Sequence, residues 1–187
     1  MIAVDSFDAE KARRFRDAAL PHLDAVYTLA RYLLRNAADA DDAVQECYLR
    51  ALRHFHQFRG PAIKPWLLAI LRNVCRAEYA RRSVHESPGC EDDETGEAAA
   101  PLWREADDTP EAASLRREDT STMQRLIAAL PEPFRETLVL REINELSYRE
   151  IADAVGAPIG TVMSRLARAR SMLREAWLAT AQEGGQR

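Results

Sequence analysis

A chain of 187 residues, 47% apolar and 30% charged, is long enough for one large domain or for two small ones that each bury a core of their own. No basic N-terminal segment leads into an apolar run, and no window approaches about 18 uninterrupted apolar residues, which excludes a secretory leader and a membrane-spanning helix and leaves a soluble, cytoplasmic protein as the expectation. The net charge of −4 argues against nucleic acid only until its distribution is seen: residues 86–113 hold ten carboxylates against the single base Arg104, so the rest of the chain is net positive.

From Phe7 to about Arg82 the chain is rich in Ala, Leu and Arg without strand-period alternation, and it reads as a series of helices. In "DADDAVQECYLRALRHF" the helical period buries Val44, Cys47, Tyr48, Ala51 and Phe55 and turns Asp42, Gln45, Glu46 and Leu49 outward. A leucine exposed beside carboxylates suits a protein partner, whereas acids in a first turn, Asp41 and Asp42 here, also have a purely structural use against the helix dipole. After the break "QFRGPAIKP" a long helix starts near Pro65, a residue suited to a first turn. Trp66, Ile70, Val74 and Ala77 are its expected core stripe. Arg72, Arg76, Tyr79 and Arg82 gather opposite, with Asn73 at the border, a basic and aromatic mixture able to hold phosphates and stack an unpaired base. The plainer alternative is a solvated basic face.

Residues 86–112 combine like-charge runs, Gly and Pro, with Leu102 and Trp103 the only large apolar side chains. Such a stretch cannot bury enough surface to offset its ordering entropy, so a flexible acidic linker is expected. Four further helices follow, over 113–130, 132–143, 147–155 and 159–179, separated by Pro, Asn-Glu-Leu-Ser and Gly-Ala-Pro breaks. The expected fold is all-α, with two small helical domains at 7–85 and 113–180.

The last two helices carry the sharpest pattern. Ser147 and Glu150 form a capping box, and Tyr148, Ile151, Ala152 and Val155 fall on one stripe. Ala152 permits a close crossing, Gly156 can take the left-handed turn conformation, and Val162 can plug the angle between the helices. That spacing is a helix-turn-helix. Beyond it Val162, Leu166, Ala169 and Leu173 face inward, Gly160, Ser164, Ala167, Arg168 and Ser171 outward, with Thr161, Arg165, Arg170 and Arg174 flanking. An outward face of small residues and arginine fits the major groove, where arginine pairs bidentately with guanine. A solvated amphipathic helix is the alternative.

Catalysis and metal binding find no support in the spacing. Cys47, Cys75 and Cys90 form no CxxC pair and read as reduced thiols, Cys90 as an inert exposed one among carboxylates. His22, His54, His56 and His85 show no ligand spacing, and there is no Gly-rich phosphate loop. Neither an enzyme, nor a cofactor, nor a metal is expected.

"ALPEPFRETLVLREINELSYREIADAVGAPIGTVMSRLARAR" closely resembles region 4 of the extracytoplasmic function (ECF) group of bacterial sigma factors, and "DADDAVQECYLRALRHFHQFRG…PWLLAILRNVCRAEYARR" resembles their region 2. The resemblance implies a dissociable, non-enzymatic subunit that binds core RNA polymerase and directs it to promoter DNA. It implies a polymerase-docking surface at Asp39, Asp42, Gln45, Glu46 and Leu49 for the β′ coiled coil, and a contact of the second domain with the β flap. It places −10 element recognition and opening at Arg72, Asn73, Arg76, Tyr79 and Arg82, and −35 element reading at Thr161, Ser164, Arg165, Arg168 and Arg170. An anti-sigma factor is a further candidate partner, the acidic linker would lie along polymerase, and the end of the chain soon after Trp177 implies no appended sensing domain. Two positions depart from the family pattern: Met163 stands where other members carry arginine, and "RGPAIKP" has two prolines where small polar residues are usual. The competing reading is a free-standing helix-turn-helix repressor or activator, which would dimerise on a palindrome and need neither the acidic face nor the basic-aromatic helix.

Overall fold

The computed structural model describes residues 3–34, 36–85 and 110–184. Among them there is no strand, and no helix is long and apolar enough to cross a membrane. The first unit comprises α1 (Ala3–Ala19), α2 (Leu23–Leu34), α3 (Ala37–His54) and α4 (Ile63–His85). The second comprises α5 (Pro110–Ala129), α6 (Glu132–Leu138), α7 (Tyr148–Val155) and α8 (Ile159–Gly184). The expected linker 86–112 overlaps α5 by three residues, and its remainder, with Cys90, Leu102 and Trp103, lies outside the described residues.

In the first unit α2, α3 and α4 pack on one another. α2 buries Val26, Leu29, Ala30, Leu33 and Leu34, an unbroken helical stripe. Asn36 starts α3, its side-chain oxygen accepting the Ala38 and Asp39 amides at 2.8 and 3.4 Å. α3 then buries Val44, Cys47 and Ala51 as expected, with Tyr48 and Phe55 half-buried. The stripe of α4 differs from the expected one. Leu67, Leu68, Leu71, Val74 and Cys75 are buried, Trp66 and Ile70 are only partly covered, and Ala77 is exposed. Trp66 instead ends a run of aromatic contacts, its ring centroid 5.0 Å from that of Phe58, which stacks on Phe55, which meets Phe15 edge-on at 5.3 Å. These rings close the end of the unit and displace α4's central contact toward its leucines.

In the second unit Pro131 breaks the chain between α5 and α6. The buried Arg135 guanidinium donates to the carbonyls of Ala128 and Leu130 at 2.8 and 3.0 Å, satisfying the end of α5. The segment expected as one helix over 132–143 changes character at Val139, where a π turn runs to Ile143. The wider turn lets Leu138, Val139 and Leu140 all be buried, and the Asn144 amide closes it on the Val139 carbonyl at 3.0 Å. α6, α5 and α7 all pack against α8.

The two units also touch. α4 lies against α7, α2 lies against α6 and the π turn, and buried side chains of both units belong to one continuous apolar cluster. The loose tether implied by the sequence therefore joins units that are packed together.

Candidate nucleic-acid interface

The turn between α7 and α8 is locked at both ends. The Ser147 hydroxyl accepts the Glu150 amide at 3.3 Å, and the Glu150 carboxylate accepts the Ser147 amide and hydroxyl at 2.8 and 2.7 Å. Those donors hold the Glu150 carboxyl below its ordinary pKa. Gly156 ends α7 at φ +65°, and the Ala152 carbonyl accepts the amides of both Gly156 and Ala157. Val162, Leu166 and Ala169 are fully or almost fully buried, which fixes the roll of α8 about its axis. Gly160, Ser164, Ala167, Arg168 and Ser171 consequently face solvent, and Met163 joins them at 54% exposure.

The expected reading residues on α8 divide into three kinds. Ser164 and Arg168 are exposed, whereas Thr161 and Arg165 are half-buried on the flank. Arg170 is tied back, donating to the Glu142 carboxylate of the π turn at 2.6 Å. Its guanidinium braces α8 against its own unit, so the open reading surface is narrower than the sequence suggests.

On α4, Asn73 and Arg76 are exposed, and the Tyr79 ring is 40% exposed while its hydroxyl donates to the Leu33 carbonyl at 2.8 Å at the end of α2. The side chain of Arg82 lies outside the described residues. Arg72 is the exception. Expected on the open basic face, it is covered by the second unit and donates to Glu136 of α6 at 2.5 Å, with 11% of its side chain and 4% of the carboxylate's exposed. Burial pushes the Glu136 carboxyl above its ordinary pKa, and the Arg72 guanidinium offsets this only in part. No helical period reveals Glu136, because its partner lies 64 residues away on another unit.

The outer face of α3 presents Asp42, Gln45 and Leu49, the leucine half-exposed. Asp39 is half-buried in the first turn, and Glu46 receives Arg50 at 2.6 Å along the same helix. Asn36 rather than any of the acids caps the helix, so Asp42, beyond the first turn, has no capping duty. Both buried thiols are chemically quiet, burial pushing Cys47 and Cys75 up to about 12. Among the described residues no group of three or more His, Cys, Asp or Glu could hold a metal ion.

Comparison with known proteins matches residues 19–84 to sigma-70 region 2 and residues 121–173 to sigma-70 region 4. The chain is 38% identical over 149 residues to the ECF RNA polymerase sigma-E factor of Haemophilus influenzae, covering 78% of this chain and 77% of that protein. It is 34% identical over 168 residues to the RNA polymerase sigma-H factor of Pseudomonas aeruginosa, covering 88% and 86%. Among solved structures, the sigma factor RpoE of Bartonella quintana in complex with the anti-sigma factor NepR superposes with a TM-score of 0.71 at 26% identity, covering 88% of this chain and 97% of that one. Two sigma-type helical regions in the right order, a locked helix-turn-helix and relatives of this identity and coverage place the chain in the ECF group of sigma-70 family RNA polymerase sigma factors.

Proposed function

We propose that each of the three surfaces has one task in promoter-specific initiation. The outer face of α3, Asp39, Asp42, Gln45, Glu46 and Leu49, docks on core RNA polymerase at the β′ coiled coil, the second unit meeting the β flap. The exposed part of α4, Asn73, Arg76 and Tyr79 with Arg72 and Arg82, holds the opened −10 element. There the binding of unpaired bases offsets the few kcal/mol needed to unstack a step. α8 reads the −35 element in duplex form, Arg168 through base edges, Ser164 and Thr161 by close approach, Arg165 and Arg170 nearer the phosphates. Residues 7–85 and 113–180 act as the two reading domains and residues 86–112 as an acidic strap along polymerase. The protein is not an enzyme, acts in the cytoplasm and has an anti-sigma factor as a further partner, as the Bartonella relative does.

The observation that carries this reading is the outward face of α8, free of acids from Gly160 to Arg174, behind a sterically fixed turn, on a chain that also exposes Leu49 beside carboxylates on α3. Transcription in vitro with core polymerase on a pool of promoter fragments tests it. Initiation from a subset sharing two boxes is expected, with Asp42→Arg abolishing core association. No association with core polymerase, together with tight binding of the free protein to a palindrome, would instead make it a free-standing regulator.

A further inference from the structure

The outward face of α8 has two unlike sides. On one, Ser164 and Arg168 are exposed with Thr161 and Arg165 half-buried beside them, a polar and cationic edge. On the other, Ile159, Met163 and Ala167 follow one another at i, i+4 and i+8, a single line along the helix, and all three are exposed, Ile159 at 46% and Met163 at 54%. Gly160, at the head of that line, leaves open space, since a Cβ there would meet nothing within 4 Å. The helical period puts Arg170 on the same side, but its guanidinium is engaged by the Glu142 carboxylate at 2.6 Å. The next arginine on this side, Arg174, comes three turns after Met163, about 16 Å along the axis. The core does not need this apolar line, because Val162, Leu166 and Ala169 already fill the inward stripe. Apolar groups therefore lie bare on the side of the helix where the nearer arginine is drawn back.

We infer that Met163 is a specificity-determining residue that reads the C5-methyl group of a thymine in the upstream box, so that α8 divides its recognition between hydrogen bonds on the Arg168 side and apolar contact on the Met163 side. The inference rests on the assignment of α8 to the −35 element. Among the groups that base pairs present in the major groove the thymine methyl is the apolar one, and it is matched by an apolar side chain rather than by a donor or an acceptor. Cytosine at the same place sets its amino group against that side chain and leaves a donor without a partner. Methionine suits the task because its unbranched, polarizable chain adapts to a methyl group whose position varies with the base step. Burying one methyl-sized group favours the thymine site by about fourfold in affinity. Met163 is also a position at which the chain departs from the family pattern, so this preference separates its promoters from those of its relatives.

Deoxyuridine replacement tests this. Holoenzyme made from core polymerase and the full chain is presented with the promoter fragment on which it initiates best, each thymine of the upstream box replaced singly on either strand. The replacement deletes the methyl group and keeps every hydrogen-bonding group. Competition binding with wild type should show a loss of about fourfold at one thymine and none at the others. Met163→Ala, a truncation at an exposed position, should bind the thymine fragment about as weakly as wild type binds the uracil one, and should no longer tell the two apart. Arg168→Ala should lose selectivity for the box yet keep the wild-type ratio between thymine and uracil, because the two contacts are independent. An upstream box without thymine, or a wild type indifferent to every replacement, overturns the inference. So does a Met163→Ala holoenzyme that keeps the full ratio, and a loss of core association in that variant would give the apolar line to a protein surface instead. The sigma reading fails separately, through absence of core association by wild type or of any selectivity for the box, neither of which the thymine-to-uracil ratio measures.

Discussion

α4 and α8 both carry arginine on one face and apolar residues on the other, yet the two faces end in different states. Along α8, Ser164, Ala167 and Arg168 are exposed, while Val162, Leu166 and Ala169 on the opposite side are buried. Along α4, Arg72 lies beneath the second unit and its charge is taken by Glu136, whereas Asn73 and Arg76 stay open. A helix's own period decides which side is apolar. What later covers its polar side is decided by another part of the chain: at α8 only Arg170 is drawn back, to Glu142 of its own unit, whereas at α4 the cover comes from the other unit.

The sharpest way to break this comparison is to destabilise one unit and watch the other. Leu166→Ala removes a side chain only 1% exposed, and a loss of ~2–5 kcal/mol is expected for a buried leucine. If the units behave as one closed body, thermal unfolding followed by circular dichroism shows a single shifted transition. Two transitions, with only one displaced, would make the contact between units too weak to matter. Smaller is the effect of Arg168→Ala on the open face: ~1–3 kcal/mol of selectivity at the upstream box if it pairs with guanine. Competition binding between matched and mismatched boxes measures it, and an equal loss on every sequence would assign Arg168 to phosphate instead.

Legibility followed the range of the interactions. The capping box, the left-handed Gly156, the plug at Val162 and the inward stripe of α8 depend on neighbours within a few residues, and all were readable from spacing alone. α4 was read less well. Its helical character was plain, but Leu67, Leu68 and Leu71 rather than Trp66 and Ala77 fill the core, and Trp66 is engaged by Phe58 from the loop side. Helical periodicity ranks positions by angle and cannot choose between two adjacent apolar stripes. The π turn at Val139–Ile143 was hidden for a related reason: an apolar run of Leu138, Val139 and Leu140 is compatible with either turn until its partners are known. The pairing of Arg72 with Glu136 lay beyond reach, and so did the packing of one unit on the other.

Two smaller changes probe how rigidly the turn holds the open face. At Gly156 a Cβ would meet nothing within 4 Å, so Gly156→Ala is opposed by backbone conformation alone. The left-handed geometry costs a side-chain-bearing residue roughly 1–2 kcal/mol. Urea unfolding should show that loss with the slope unchanged, and a neutral result would mean that the turn relaxes to another conformation and no longer fixes α8.

Glu150→Gln should do least, and its signature is a pH profile. The Glu150 carboxyl lies below its usual value of 4.5 because the Ser147 hydroxyl and amide both donate to it. A carboxyl depressed in the folded state binds fewer protons there than in the unfolded chain, so its contribution to stability is fully present above about pH 4.5 and is lost as pH falls through the lower folded value. The stability difference between wild type and Glu150→Gln should therefore be constant through neutral pH and shrink on acidification below that point. Glu150 also borders a cleft between the units that Lys64 lines, and the Lys64 charge reaches it. High salt at neutral pH weakens that attraction between the units but leaves the short hydrogen bonds to Ser147 largely intact. A mutant difference that persists in salt and vanishes in acid thus belongs to the cap of α7, and one that vanishes in salt belongs to the contact between the units.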